Sequence, residues 1–376
     1  METVKGFKDF IGKEAEKREL VRSILVKNFE LYGFEPAETP IIEYKKFIQG
    51  DNEKDEAVSD IFKLNDKGKR DLALRYEFTF QLKRLMKNQK LPYKRYTIGP
   101  VFRDEPISGN RLRQFTQCDI DTINSTINDE AETLSVVNKI LKELNIDFTI
   151  YFNNRKLLNE ILEKNNIKQE NFENVIKELD KLDKLTEEEV LKNLKKYKAE
   201  SLLKILKKNK FEKYENYKEI LELEKYCKYY NVKIKFQPTL ARGLSYYNGS
   251  VYEVKTNKMK ETITAGGSYI FNNIQSTGIS FGLDRLALLA NIETKKEKYL
   301  VLSINQDKEA IKIAEKLRIK NIVYLSSGKI SKALNYANSK NISKVVFVGE
   351  DEVSNKKVKI KNMETGKEEL IPIEKL

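Results

Sequence analysis

Apolar positions near the start recur every three or four places. Leu20, Ile24, Leu25, Phe29 and Leu31 fall on one side of a helix predicted over 13–32. Gly33 is placed to end it. Residues 34–43 contain Pro36 and Pro40 and read as extended chain. Short strand patterns follow at 61–64 and 72–74, then a helical one at 78–87. Two runs of period two come next, 96–102 and 115–123, separated by a basic, glycine-containing loop. A helix over 129–144 with Asp129 as its cap and a strand over 146–152 complete this stretch.

Between 155 and 230 the period changes. Five helical segments (156–164, 170–182, 187–196, 199–207 and 217–230) are dense in Lys, Glu, Leu and Asn, with no strand pattern. Strands return at 232–236 and 240–253. Within the second, Asn248-Gly249 between apolar runs predicts a hairpin turn. Ala265-Gly266-Gly267 predicts a turn or a close backbone approach. Residues 279–289 read as a strand running into a helix. From 299 strands and helices alternate simply, to a last strand near 358–361. The chain thus divides into a mixed region (1–154 and 231–294), an all-helical insertion (155–230) and a small α/β domain (298–376).

Alternation also distributes the chemistry. In a strand, residues i and i+2 share a face, so Arg103 pairs with Glu105, and Phe115 with Gln117, Asp119 and Asp121. Arg103, Arg111 and Arg113 on one hairpin suit phosphate through charge-assisted, bidentate hydrogen bonds. Phe115 beside them can stack a base. One surface then offers a cation, an aromatic platform, an amide and carboxylates, which fits a phosphorylated aromatic ligand beside a small polar one. Each residue alone also has a plainer reading: ion pairing for the arginines, core packing for the aromatic. Arg242 in Leu240-Ala-Arg-Gly-Leu-Ser-Tyr-Tyr247 and Arg285 in Gly282-Leu-Asp-Arg285 are weaker signals of the same kind. Tyr246 and Tyr247 alternate, so both reach one pocket only through a bulge.

Composition narrows the chemistry further. The chain has 376 residues, enough for two domains, and a formal charge of +13 that favours a polyanion or reflects a general lysine bias. There is no histidine, so Ser-His-Asp and Cys-His catalysis and histidine metal sites are ruled out. The two cysteines, Cys118 and Cys227, are far apart, which argues against a disulfide framework. The first fourteen residues are charged, and no apolar run approaches the ~20 residues that span a bilayer. A cytoplasmic protein with no membrane partner is expected.

Taken in order, these segments resemble the histidyl-tRNA synthetases, a family of class II aminoacyl-tRNA synthetases. Gly33-Phe-Glu-Pro-Ala-Glu-Thr-Pro40 is similar to motif 1, Phe102-Arg-Asp-Glu105 through Gln117-Cys-Asp-Ile-Asp121 to motif 2, and Gly282-Leu-Asp-Arg285 to motif 3. Leu74-Arg-Tyr-Glu-Phe-Thr79 and the Arg-Gly-Leu-x-Tyr-Tyr segment ending at Tyr247 resemble the histidine-specific signatures. The Gln-Cys-Asp-x-Asp form is more like archaeal and eukaryotic members. The resemblance implies an α+β fold: an antiparallel class II catalytic sheet flanked by helices, a helical insertion, and a C-terminal α/β domain that binds the anticodon. It implies a homodimer that uses ATP and Mg²⁺ to attach histidine to tRNA(His), with no metal ligand assigned to the chain. It gives Arg103 and Arg242 catalytic roles at the α-phosphate. ATP falls to Arg103, Glu105, Arg111, Arg113, Phe115 and Arg285, and histidine to Glu77, Thr79, Gln117, Asp121, Tyr246 and Tyr247. The family's usual Gly-Gly-Arg-Tyr-Asp reads Gly266-Gly-Ser268-Tyr269-Ile270 here, so an arginine and an aspartate are missing from a pocket wall that Tyr269 keeps. The second reading is a non-catalytic relative, a regulatory subunit of histidine biosynthesis. Such relatives generally lack the C-terminal domain and lose arginines of the ATP site. Asp119 faces the same site with no assigned role.

Overall fold

A computed structural model describes residues 2–49, 60–107, 112–183, 185–208, 210–241, 246–293 and 297–376. It separates into two compact units, 1–292 and 293–376.

The first unit opens with the Gly12–Leu31 helix, which buries Val21, Leu25 and Phe29. Gly33 follows at φ +78°, a conformation that suits a residue without Cβ, and turns the chain out of the helix. Strand β1 (Glu35–Pro36) comes next. Strands β2 (Ile42–Tyr44), β3 (Lys63–Asn65) and β4 (Asp71–Leu74) form a small antiparallel sheet in the order β2-β4-β3. The large sheet adds β5 (Tyr93–Phe102), β6 (Gln114–Ile123), β7 (Thr149–Asn154), β8 (Ile234–Phe236), β9 (Tyr247–Thr256), β10 (Met259–Phe271) and β11 (Ile274–Gly282). Its order is β1-β5-β6-β11-β10-β9-β7-β8. Only the two edge pairs, β1 with β5 and β7 with β8, are parallel.

The sheet has a covered back and an open front. On the back, Tyr96, Cys118, Ile120, Tyr252, Val254 and Phe281 pack with Phe29 and with Ala131, Leu134 and Val137 of the Ile127–Glu143 helix. That helix starts at Thr126, whose hydroxyl and backbone amide both donate to Asp129, so Asp129 is the third residue of a capping box rather than the cap. The insertion forms helices at Arg155–Lys164, Phe172–Asp180, Glu187–Lys195, Ser201–Lys208 and Tyr217–Tyr229. Its apolar side chains, Leu157, Ile176, Leu203 and Phe211 among them, belong to the same core as Phe29 and Ile120. The insertion is therefore packed into the first unit.

Of two glycine signals, one overturns the sequence reading and the other decides between its alternatives. Asn248-Gly249 lies inside the continuous strand β9, and the chain reverses instead between Thr256 and Met259. Gly249 is small because Ser268 packs against it: a Cβ there would lie 3.0 Å from the serine's own. Gly266-Gly267 also lies mid-strand, where a Cβ on Gly266 would sit 2.1 Å from the Gly278 carbonyl oxygen. The close-approach alternative is the correct one.

The second unit is a five-stranded sheet. Strands β12 (Lys298–Ser303), β13 (Ile322–Ser327), β14 (Lys344–Val348), β15 (Lys357–Asn362) and β16 (Glu368–Pro372) lie in the order β13-β12-β14-β15-β16. Helices Asp307–Arg318 and Ile330–Ser339 cover it, with Ala310, Ile313 and Ala314 in one core and Ala333 and Ala337 in another.

Candidate active site

The front of the large sheet is built by register. Arg95, Thr97 and Gly99 of β5 lie opposite Asp121, Asp119 and Gln117 of β6. Those three in turn lie opposite Gly278, Ser280 and Gly282 of β11. Facing residues share a sheet face, so the odd positions of β5 and β6 and the even positions of β11 make one surface. The odd-number alternation read from the sequence holds across both strands. Further out on the same face, Arg103 pairs its backbone with Arg113, and Val101 lies opposite Phe115.

A cavity of about 560 Å³ stands over this surface. Arg103, Glu105, Phe115 and Arg285 line one end. The Arg103 guanidinium sits 5.2 Å from the centre of the Phe115 ring, and its Nε donates to the Tyr76 carbonyl at 3.3 Å. Glu105 approaches Arg103 at 4.0 Å. Arg285 donates to the Thr262 carbonyl at 2.7 Å. Glu77, Thr79, Gln117, Asp121, Tyr246 and Tyr247 line the other end, joined by Tyr269. Tyr246 precedes β9 and so escapes strand alternation, and the β9–β10 register shifts between Gly267 and Tyr269. Both tyrosines therefore reach the cavity, their rings 4.7 Å apart.

Arg113, Ser268 and Ile270 are placed differently from expectation. Arg113 does not line the cavity. It lies over Gly6, reaches Asp104 at 3.3 Å and donates to the Glu105 carbonyl, so it braces the strand end. Ser268 and Ile270 leave no gap in the pocket. They occupy even positions of β10, so Ser268 points to the back and donates to buried Glu130, while Ile270 is exposed. Arg111 and Arg242 lie outside the described residues.

The end lined by Glu77, Gln117 and Asp121 is electrostatically unbalanced. Arg95 is fully buried, and its Nη2 meets Asp121 at 2.7 Å. The Tyr269 hydroxyl donates to the other Asp121 oxygen. Gly278 is needed here, because a Cβ would lie 2.1 Å from Asp121 Oδ1. Gln117 Nε2 donates to Asp119 at 3.0 Å. Glu77 Oε1, Gln117 Oε1 and Asp119 Oδ1 are buried with no hydrogen-bond partner. Burial, then the Asp119 charge, pushes the Glu77 carboxyl up to about 8, against the pull of Arg103. Burial raises Asp119 to about 6, with Arg95 opposing and Asp121 adding to the rise. Unpaired buried acceptors of this kind are costly and fit a ligand with several N–H donors.

The sequence reading missed Arg95 because its strand began at 96, whereas β5 begins at Tyr93. It also left out Arg18. Asp284 accepts from the Thr116 amide at 2.9 Å and from Arg18 at 2.7 Å, and so anchors the helix that starts beside Arg285.

A family model described as histidyl-tRNA synthetase matches residues 6–286, and one described as an anticodon binding domain matches 294–376. This chain belongs to the histidyl-tRNA synthetase family. Histidine–tRNA ligase 1 of Bacillus cereus is 36% identical over 419 residues, covering 100% of this chain and 96% of that protein. The histidine–tRNA ligase of Helicobacter pylori is 33% identical, covering 96% of this chain and 93% of its own. In three dimensions the chain is similar to the histidyl-tRNA synthetase of Nostoc sp. PCC 7120, with a TM-score of 0.85 at 23% identity over 100% of this chain and 98% of that one. These synthetase relatives are bacterial, which corrects the archaeal and eukaryotic affinity read from Gln-Cys-Asp-x-Asp.

Proposed function

We propose that this chain joins histidine to its tRNA in two steps, through a histidyl-adenylate formed in the cavity described above. The observation that carries this reading is the change along one wall. Along β6 it passes from the arginine-flanked ring of Phe115 to the amide and carboxylate end at Gln117 and Asp121. A cavity of about 560 Å³ suits a small ligand of mixed character.

Phe115 stacks on adenine, with Glu105 at its amino group. Arg103 and Arg242 hold the α-phosphate, and Arg285 with Arg111 the outer phosphates. Glu77, Thr79, Gln117, Asp121, Tyr246 and Tyr247 take histidine. Among the described residues no cluster of three or more acidic, cysteine or histidine groups could hold a metal. Glu253, which also pairs with Lys255 at 3.2 Å, and Glu261 are the carboxylates of the cavity wall that would hold a magnesium ion, whose other ligands would come from phosphate and water. Such an ion would supply charge neutralisation at the phosphates.

No histidine base is required. The substrate carboxylate is already ionised and attacks the α-phosphorus, and pyrophosphate leaves. The arginines align the reactants and offset charge as it develops. The terminal ribose hydroxyl of tRNA then attacks the activated carbonyl and AMP departs. The second unit is assigned the anticodon, and the +13 charge suits a polyanion. Ile42 and Tyr44, half exposed or more just after Pro40, support a homodimer through this segment. No described helix is long and apolar enough to cross a membrane, and we place the chain in the cytoplasm.

The regulatory-subunit reading has a fold neighbour in a Bacillus halodurans ATP phosphoribosyltransferase regulatory subunit/histidyl-tRNA synthetase, with a TM-score of 0.76 at 20% identity. The ligase reading is preferred because Arg103 and Arg285 line the cavity and the C-terminal domain is present. Histidine-dependent ATP–pyrophosphate exchange, followed by charging of tRNA(His), is the test. A folded chain that shows no exchange with histidine would rule the ligase reading out. Arg242→Ala is expected to cut exchange by about a hundredfold or more while leaving sedimentation unchanged.

A further inference from the structure

Gln117 occupies an unusual place in the sheet. Its two cross-strand neighbours are both glycine, Gly99 on β5 and Gly282 on β11. Neither offers a side chain. Along its own strand the neighbours on the same face are Phe115, which has no polar atom, and Asp119. The hydrogen bond from Nε2 to Asp119 is thus what orients this amide. An ionised carboxylate only accepts, so the amide nitrogen must face Asp119 and Oε1 must face away. Oε1 is indeed buried without a partner.

Asp119 is itself held for this task. Ser280, opposite it on β11, and Arg95 both favour its charged form. Thr97, opposite it on β5, donates its hydroxyl elsewhere, to the Ala37 carbonyl. Asp119 is 5% exposed and absent from the cavity wall, so it reaches the ligand only through its neighbour.

We propose that Asp119 is a positioning residue that locks the Gln117 amide with its oxygen toward the cavity, so that this point of the site takes an N–H donor of the amino-acid substrate. The inference rests on the ligase reading above for the identity of that substrate. With asparagine at 119, the neighbour could offer either an oxygen or an amide nitrogen. Gln117 would then turn its nitrogen toward the cavity for part of the time.

The test is a double-mutant cycle on the full chain, read by calorimetric titration with histidine and, in parallel, by exchange kinetics. Asp119→Asn should weaken histidine binding about tenfold, the scale of one hydrogen bond to a charged group, and leave the KM for ATP within about twofold. In a Gln117→Ala background the same substitution should change histidine binding by less than about twofold. An equal loss in both backgrounds, or none in the parent, would overturn the proposal. Should Asp119→Asn not fold, Ser280→Ala replaces it in the cycle. It should weaken histidine about threefold only while Gln117 is present, and a loss independent of Gln117 overturns the proposal equally. Histidine binding without exchange would refute the ligase reading and leave the cycle readable. A parent chain that does not bind histidine overturns both.

Discussion

Glu77, Asp119 and Asp121 are three buried carboxyls against one fully buried guanidinium, Arg95. Such an excess is costly, and Glu77, pushed up to about 8 by burial and then by Asp119, answers it by keeping its proton near neutral pH. A bound cationic amine would reverse that balance and favour the carboxylate. Histidine binding near pH 7 is therefore expected to release protons. Titrations in two buffers of different ionisation heat should give different enthalpies, with the sign of release, and identical values would refute it. The same group shapes the pH dependence of folding. Its folded pKa is raised, so its contribution is fully present below the unfolded carboxyl range and is lost as pH rises through about 8. Glu77→Gln should match the parent's melting temperature near pH 4 and exceed it near pH 8.5, while abolishing histidine-dependent exchange. A parent and variant that melt in parallel across that range would mean Glu77 is ionised in the free protein.

The strands and helices explain why the sequence was legible in some places and not in others. Period-two alternation is local, so the shared face of Arg103, Phe115, Gln117 and Asp121 could be read directly, as could the helical period of the insertion. Strand β16 was missed because Glu368–Leu370 are exposed at a sheet edge and carry no buried alternation. Glycine was ambiguous for a different reason: a turn and a crowded strand both demand it. Asn248-Gly249 follows the pattern of a hairpin yet serves a cross-strand contact with Ser268. The neighbours of Gln117 and Asp119 could not be read, since they depend on the non-local register of three strands. That register makes a prediction at the same scale. Gly266→Ala would drive its Cβ to 2.1 Å from the Gly278 carbonyl and 2.7 Å from Ile279 Cα, both backbone and neither able to swing aside. Forcing β10 and β11 apart should cost about 1–3 kcal/mol in urea unfolding and weaken histidine binding too, because Gly278 abuts Asp121. Gly328→Ala, at φ +106° with nothing near it, should cost only the smaller backbone strain and leave histidine binding untouched.

The two units have separate hydrophobic cores, one built on Phe29, Ile120 and Leu134, the other on Val301, Ile313 and Val346. The proposed adenylation chemistry lies wholly in the first, since every residue lining the cavity falls before 293. Histidine activation and tRNA charging should therefore separate when residues 293–376 are removed. The shortened chain is expected to keep histidine-dependent ATP–pyrophosphate exchange to within about tenfold, because no group that touches ATP or histidine is lost. Charging of tRNA should fall by about a hundredfold or more, mainly in its KM, as a large share of the contacts to a polyanion goes with the second unit. Salt offers an independent check on the full chain. Binding that neutralises phosphates weakens steeply with ionic strength, by about 10³ or more between 50 and 200 mM for six or more contacts. Exchange takes place in an enclosed cavity and should change far less. Measuring both rates across that range decides the matter: parallel losses would place part of the adenylation site in the second unit, whereas a steep charging curve above a flat exchange curve assigns the two steps to the two units.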